Sequence, residues 1–351
     1  MSSVVQTYRF RIKGGSSNRR LDTIAPAVNM VWNYCNATSF KAIRDRSEWL
    51  SGFDLSYLTK GSGKELGLHS QTIQAIGEEY ATRRKQFKKR KLRWRISKGS
   101  KKSLGWIPFK AVAVKVIGNV VTYAGQEYKF WNSRDLPGKP KCGSFSQDAR
   151  GRWYVNFVVE APVVDTRHSV EEVGMDLGLK DTATLSDGAR VENRRSFAKC
   201  EAKLANFQRH GKKRQVQRLA ARIKNIRKDF IHKKTLELVR KYQTIFVGNV
   251  SGKFLQATHG KSSQDASTGM FRQILSYKAI RHQGMVVDVS EIASTVTCSN
   301  CFERSGPSGL SDLGVREWVC PPCGAHHDRD VNAATNMLRV GRDSLRAANA
   351  A

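Results

Sequence analysis

The stretch Val173-Gly174-Met175-Asp176-Leu177-Gly178 decides how this chain folds. A short apolar run that ends on an acid and then on glycine reads as a buried strand stopping at a turn. Residues 171–177 are that strand. A second, at 182–186, turns at Asp187-Gly188, and a long basic helical region follows over 195–242. Two more apolar strands come next, Ile245-Phe246-Val247 and Met285-Val286-Val287-Asp288-Val289. Strands alternating with helices indicate an α/β sheet, and in an open sheet the C-terminal strand ends converge on one crevice. Asp176 sits at one such end and Glu291 lies just beyond another. Asp330, in His327-Asp328-Arg329-Asp330-Val331-Asn332-Ala333-Ala334, opens a helix expected from about Val331 to Leu338. Taken singly, each acid has a plainer reading: a turn residue for Asp176, a helix cap for Asp330, a surface charge for Glu291. Taken together, the three carboxylates can hold two Mg²⁺ ions that flank a scissile phosphate.

Cysteine usage points the same way. Four of the seven cysteines form Cys298-x-x-Cys301 and Cys320-x-x-Cys323, with eighteen residues between the pairs. That spacing is a zinc ribbon's, and four thiolates close a tetrahedral shell, so the zinc is structural. His326 and His327 are available as substitute ligands. Paired CxxC units and an odd cysteine count argue for a reducing compartment, hence a cytoplasmic location, and against a disulfide framework.

Lys and Arg total 61 against 30 Asp and Glu in 351 residues, a net charge of +31. Such an excess repels itself unless a polyanion neutralises it. Nucleic acid fits best, because each neutralised phosphate releases a counterion. No apolar run is long enough to span a bilayer, and the N-terminus lacks a signal peptide's pattern. Two tracts carry much of the charge. Residues 81–102 hold twelve Lys/Arg and no acid, and residues 194–234 hold fifteen with two acids. Phe87 and Trp94 interrupt the first tract as stacking groups. Candidate nucleic-acid contacts are Ser70, Gln71, Gln74, Arg83, Arg84, Lys88, Arg93, Arg95, Arg218 and Arg222, with Asn33 and Asn36 as further polar helix positions.

In the N-terminal half, residues 4–13 alternate as a strand, with Tyr8, Phe10 and Ile12 on one face and Arg9, Arg11 and Lys13 on the other. Gly14 to Asn18 reads as a turn. Helical spacing begins with Leu21, Ile24, Val28, Val31, Trp32 and Cys35 and continues with breaks through Arg95. Residues 105–160 are β-rich, with turns at Gly118-Asn119 and Ala124-Gly125. The first strand is expected to join these strands in one small barrel or sheet, with the helices inserted.

The VGMDLG stretch, the CxxC pairs and Asp328-Arg329-Asp330-Val331-Asn332-Ala333-Ala334 resemble TnpB, the RNA-guided nuclease family of insertion-sequence transposons, to which compact type V CRISPR effectors are related. The resemblance implies an α+β multidomain protein. Residues 1–15 and 105–165 would form a wedge β-barrel, and 16–104 an inserted helical recognition lobe. Residues 166–293 and 327–340 would form a RuvC-like nuclease of RNase H fold, with the zinc ribbon at 294–326 and a disordered tail at 341–351. It also implies a guide RNA bound by one protein monomer, and a double-stranded DNA target beside a short flanking motif. A single Mg²⁺-dependent site would cut the two strands in turn, while base pairing reads the sequence. In one respect the chain departs from most of the family, whose catalytic Glu ends the strand matching Thr244 to Gly248. Here Gly248-Asn249-Val250 follows, and a subset resembling "VGNVS" carries its Glu just upstream of the first CxxC, where Glu291 stands. Two other readings stay open: a guide-directed binder that has lost cleavage, and a zinc-ribbon nucleic-acid chaperone.

Overall fold

A computed structural model describes residues 3–249, 260, 265–308 and 311–350. The chain divides into two compact units, Ser3–Pro162 and Val163–Ala351. Met1, Ser2, Val250, Ser251 and Ala351, included in the expectations above, lie outside the described residues.

The first unit opens with β1 (Ser3–Arg11) and four helices: α1 (Gly15–Arg46), α2 (Gly52–Leu58), α3 (Gly63–Leu66) and α4 (Ser70–Gln86). Six strands follow: β2 (Trp106–Lys110), β3 (Val114–Ile117), β4 (Val120–Tyr123), β5 (Gln126–Lys129), β6 (Pro140–Gln147) and β7 (Trp153–Pro162). One antiparallel sheet has the order β1-β7-β6-β2 and another β3-β4-β5, and an Ile12–Phe130 bridge joins them. β1 pairs with β7 from Ser3↔Pro162 to Arg11↔Tyr154. Its alternation buries Tyr8 and Phe10 beside Phe109, Phe130, Phe145 and Phe157 and leaves Arg9 and Arg11 outside. The turns at Gly118 and Gly125 adopt positive φ, as two-residue hairpin loops require.

Helical order stops at Gln86 instead of reaching Arg95. Residues 92–97 have no regular secondary structure and run beside α1, held by its asparagines. Asn36 donates to the Leu92 carbonyl and accepts from the Leu92 N–H, and Asn33 does the same for Arg95. Asn29 reaches Ser97 and the Arg95 guanidinium. A primary amide carries the donor and acceptor of a peptide group, so these side chains substitute for a neighbouring strand. Asn33 and Asn36 therefore serve the fold and are not free to reach base edges. Arg84 is buried, donates to the Leu50 carbonyl and sits over Trp49 and Tyr80, which removes it from the surface. Arg95 is committed to Asn29 and the Leu104 carbonyl.

The second unit contains β8 (Val170–Asp176), β9 (Asp181–Leu185), β10 (Arg190–Glu192), α5 (Glu201–Arg209), α6 (Lys213–Lys241), β11 (Tyr242–Gly248), α7 (Thr268–Arg281) and β12 (Met285–Val289). A short hairpin, β13 (Glu317–Val319) and β14 (His326–Asp328), precedes α8 (Arg329–Ala350). The five-stranded sheet has the order β10-β9-β8-β11-β12. β8, β11, β12 and β10 run in one direction, and β9, between β10 and β8, runs against them. The basic region expected as one helix is two, because Gly211 takes a positive φ between them.

Two glycines dock α8 on this sheet. A Cβ on Gly174 would lie 1.9 Å from the Ala334 carbonyl oxygen, and one on Gly341 would lie 2.1 Å from the Phe246 ring. Such close approach of helix to strand needs a residue without a side chain. The tail expected to lose order after residue 340 instead continues α8 to Ala350. Gly341 is there a packing residue and not a helix stop, and Arg342 pairs with Glu172 on β8.

Candidate active site and metal centre

Strand register sets the carboxylate site. Met175 pairs with Val247 and Val247 with Asp288, so Asp176, Gly248 and Val289 form the last row of the three parallel strands. Asp176 shares its face with Gly174, because side chains alternate along a strand. Gly174 meets Ala334 of α8, while Glu172 meets Arg342, so helix and strand run in opposite directions. Two strand residues advance ~6.6 Å, and four helical residues advance ~6 Å. Moving from Gly174 to Asp176 therefore corresponds to moving from Ala334 back to Asp330.

Asp330 is not the helix cap its sequence position allows. Asp328 takes that role, its Oδ1 accepting the N–H groups of Asp330 and Val331 at 3.0 Å each while its other oxygen holds Arg190 at 2.6 Å. Although burial opposes it, the Val331 N–H and the Arg190 guanidinium keep the Asp328 carboxyl below the usual range. The Asp330 carboxylate is left to face the Arg316 guanidinium, 3.4 Å from each oxygen.

Glu291 folds back over the end of β11. A Cβ on Gly248 would fall 2.0 Å from its Oε1, so the Glu291 carboxylate occupies the space a side chain at 248 would need. Asn249 is exposed beside it and donates its backbone N–H to Val289. Asp288 points elsewhere: its side chain is 64% exposed and pairs with Arg272 at 3.4 Å.

The three carboxylates act on one another. Burial, and then the charges of Glu291 and Asp330, push the Asp176 carboxyl up to about 7, against the pull of Arg329 and the Leu177 N–H. Mutually repelling acids in a partly dry crevice gain most from a divalent cation. Their oxygens do not all lie within 4.8 Å of one another; among the described residues only the four cysteines meet that limit.

Cys298, Cys301, Cys320 and Cys323 all lie within 4.8 Å of one another, with Sγ–Sγ separations of 3.7 Å for Cys298–Cys323 and 3.6 Å for Cys301–Cys320. Four Zn–S bonds of about 2.3 Å in a tetrahedron require sulfurs about 3.8 Å apart, so the set fits zinc. Donors aim at the thiolates. The Asn300 side chain and the Ala325 N–H bring the Cys323 thiol down to about 6. His327 Nε2 lies 3.0 Å from Cys298 Sγ, a hydrogen-bonding partner beside the four sulfurs.

Among the nucleic-acid candidates, Ser70, Lys88, Arg93, Arg218 and Arg222 are exposed, Gln71 and Gln74 are half-buried, and Arg83 is exposed but paired with Glu79. The sequence reading missed Arg316, which nothing in the local pattern marks. It also missed Asn332 and Asn336, whose signal is two polar residues on the apolar stripe of a helix.

Two family models match: "Cas12f1-like, TNB domain" over residues 269–337 and "Probable transposase" (OrfB_IS605) over residues 156–255. A "Putative RNA-guided DNA endonuclease" of Streptomyces pristinaespiralis is 30% identical over 315 residues, 84% of this chain and 75% of that protein. A "Putative RNA-guided DNA endonuclease InsQ" of Escherichia coli K12 is 31% identical over 247 residues, 62% of this chain and 60% of that one. In fold, the chain resembles the protein in a cryo-EM structure of a Cas12f1–sgRNA–target DNA complex, with a TM-score of 0.61 at 11% identity over 95% of this chain and 98% of that chain. With an α+β architecture, a four-cysteine knuckle and this span of similarity, the chain belongs to the TnpB family.

Proposed function

We propose that this protein is a transposon's RNA-guided, Mg²⁺-dependent DNA endonuclease that cuts double-stranded DNA beside a short flanking motif. One observation carries the reading: Asp176, Glu291 and Asp330, far apart in sequence, meet at the C-terminal end of the parallel strands. The strand order β10-β9-β8-β11-β12, four strands running one way and β9 running against them, supports a RuvC-like domain of RNase H fold with an inserted zinc ribbon. In the first unit, the two antiparallel sheets stand for the wedge barrel and α1–α4 for the recognition lobe.

Bound Mg²⁺ would lower the pKa of an attacking water and stabilise the leaving oxygen. The chain's residues prepare that chemistry. Asp176, Glu291 and Asp330 supply the oxygen ligands. Asp328 caps α8 so that Asp330 is not consumed by the helix. Arg316 brings a cation to Asp330, where a scissile phosphate would also sit. Exposed Lys88, Arg93, Arg218 and Arg222 favour the guide RNA and DNA backbones, and one monomer binds one guide. The four cysteines hold zinc and keep the ribbon folded.

A cleavage-deficient, guide-directed binder is the second reading, and Asn249 at the usual glutamate position favours it. The Glu291 carboxylate over Gly248 counts against it. The test is to purify the protein with its copurifying RNA, sequence that RNA, and challenge the complex with a DNA target library and Mg²⁺. Guide-dependent cutting beside a fixed motif is expected. Asp176→Ala, Asp330→Ala and Glu291→Gln should abolish cutting and keep guide-dependent binding. Near-normal cutting by Glu291→Gln would remove Glu291 from the site, and binding without cutting by the unaltered protein would favour the second reading.

A further inference from the structure

Asn332 and Asn336 are 2% and 3% exposed, one turn apart on α8. Both send their amide N–H groups to the same two backbone carbonyls. Asn332 Nδ2 lies 3.3 Å from the Ser294 oxygen and 2.8 Å from the Thr297 oxygen, and Asn336 Nδ2 lies 3.0 Å and 2.7 Å from them. Asn332 Oδ1 also accepts the N–H of Ser299, inside the first CxxC knuckle, at 2.9 Å. The clamped segment begins at the carboxylate site, because the Ser294 N–H donates to the Glu291 carbonyl. It ends at the sulfurs, because Thr297 precedes Cys298. Asp330 lies two residues before Asn332.

We propose that Asn332 and Asn336 are positioning residues that couple the four-cysteine metal centre to the carboxylate site. The clamp fixes the distance between the Glu291 turn and the Asp330 end of α8, and a metal-bound knuckle gives it a rigid surface to grip. Zinc at the cysteines therefore strengthens divalent-cation binding at the carboxylates, and by linkage the effect is reciprocal. Removing both amides takes these donors from the Ser294 and Thr297 carbonyls at once, which is why the double variant is the decisive one. The inference rests on the reading of Asp176, Glu291 and Asp330 as metal ligands.

The test counts Mn²⁺ bound to the full-length protein by electron paramagnetic resonance of the free ion, with zinc content measured in parallel. Asn332→Ala/Asn336→Ala, and the isosteric Asn336→Asp, which turns donors into acceptors, are expected to retain zinc. They should bind Mn²⁺ about tenfold more weakly, the loss typical of a residue that orients metal ligands. Stripping zinc from the unaltered protein should weaken Mn²⁺ binding similarly, and stripping it from the double variant should add nothing. Unchanged Mn²⁺ affinity in the zinc-loaded variants overturns the clamp. If the double variant does not fold, Mn²⁺ affinity independent of zinc occupancy in the unaltered protein overturns it instead. Asp176→Asn tests the underlying assignment separately: if it binds as much Mn²⁺ as the unaltered protein, the carboxylate reading fails whatever the clamp does.

Discussion

The second unit holds two side-chain clusters of different construction. Four cysteines fall within 26 residues and are gathered by two local knuckles and the β13–β14 hairpin. The three carboxylates span 155 residues and meet only because strands pair in register and α8 docks on glycines. A local site depends on its own metal; a distributed one depends on the packing of the whole sheet. Substitutions should therefore separate the two sites, and the separations can be ranked.

Cys320→Ser should have the largest effect, because structural zinc supplies binding energy on the order of 10 kcal/mol to such ribbons. Zinc should fall well below one equivalent per chain and the ribbon should become protease-sensitive, while the melting of the first unit stays in place. Retention of a full zinc equivalent would remove Cys320 from the ligand set.

Gly174→Val comes next. Its side chain would strike the Ala334 backbone, so a cost of at least about 3 kcal/mol is expected. Mn²⁺ binding and cutting should be lost while zinc stays near one per chain. Loss of zinc in this variant would erase the contrast between local and distributed sites.

Asp176→Asn should abolish cutting but raise the stability of the metal-free protein at pH 7. The folded carboxyl titrates near 7, above an unfolded value near 3.9, so the folded state holds the extra proton. That contribution is complete below pH ~4 and disappears as pH rises through about 7. Since the carboxyl keeps some opening to solvent, the gain is on the order of 2–4 kcal/mol. The unaltered protein without metal should melt progressively lower from pH 4 to 7, and Mg²⁺ should restore it. A melting temperature flat across that range in the unaltered protein would mean that the three acids do not crowd one another.

Gly248→Ala should be the mildest. Its methyl displaces the Glu291 carboxylate at a cost of about 1–3 kcal/mol. Divalent-cation affinity should drop with zinc and overall fold intact. Unchanged affinity would mean that Glu291 has room elsewhere to bind the same ions.

The same contrast governs what the sequence made legible. Period-two alternation announced β1, a short apolar run ending on Asp176 announced β8, and β-rich patterning announced the hairpins around Gly118 and Gly125. Strand β6 went unread, because Pro140-Lys141-Cys142-Gly143-Ser144-Phe145-Ser146-Gln147 lacks alternation. Helical spacing runs too far, to Arg95, since nothing local reveals that the asparagines of α1 capture residues 92–97. A small, polar C-terminus read as disorder, because the groups it packs on, Phe246 for Gly341 and Glu172 for Arg342, lie far away in sequence.

Sequence by itself determined the four-thiolate centre, the acidic strand end at Asp176, and a charge excess that calls for a polyanion, since each follows from residue type and short spacing. Tertiary structure alone decided that Asp328 rather than Asp330 caps α8, that Glu291 fills the space above Gly248, and that Arg316 reaches Asp330. Asp328 is free to cap because Arg190, far away in sequence, holds its other oxygen, and register and close packing bring Glu291 and Arg316 to their partners.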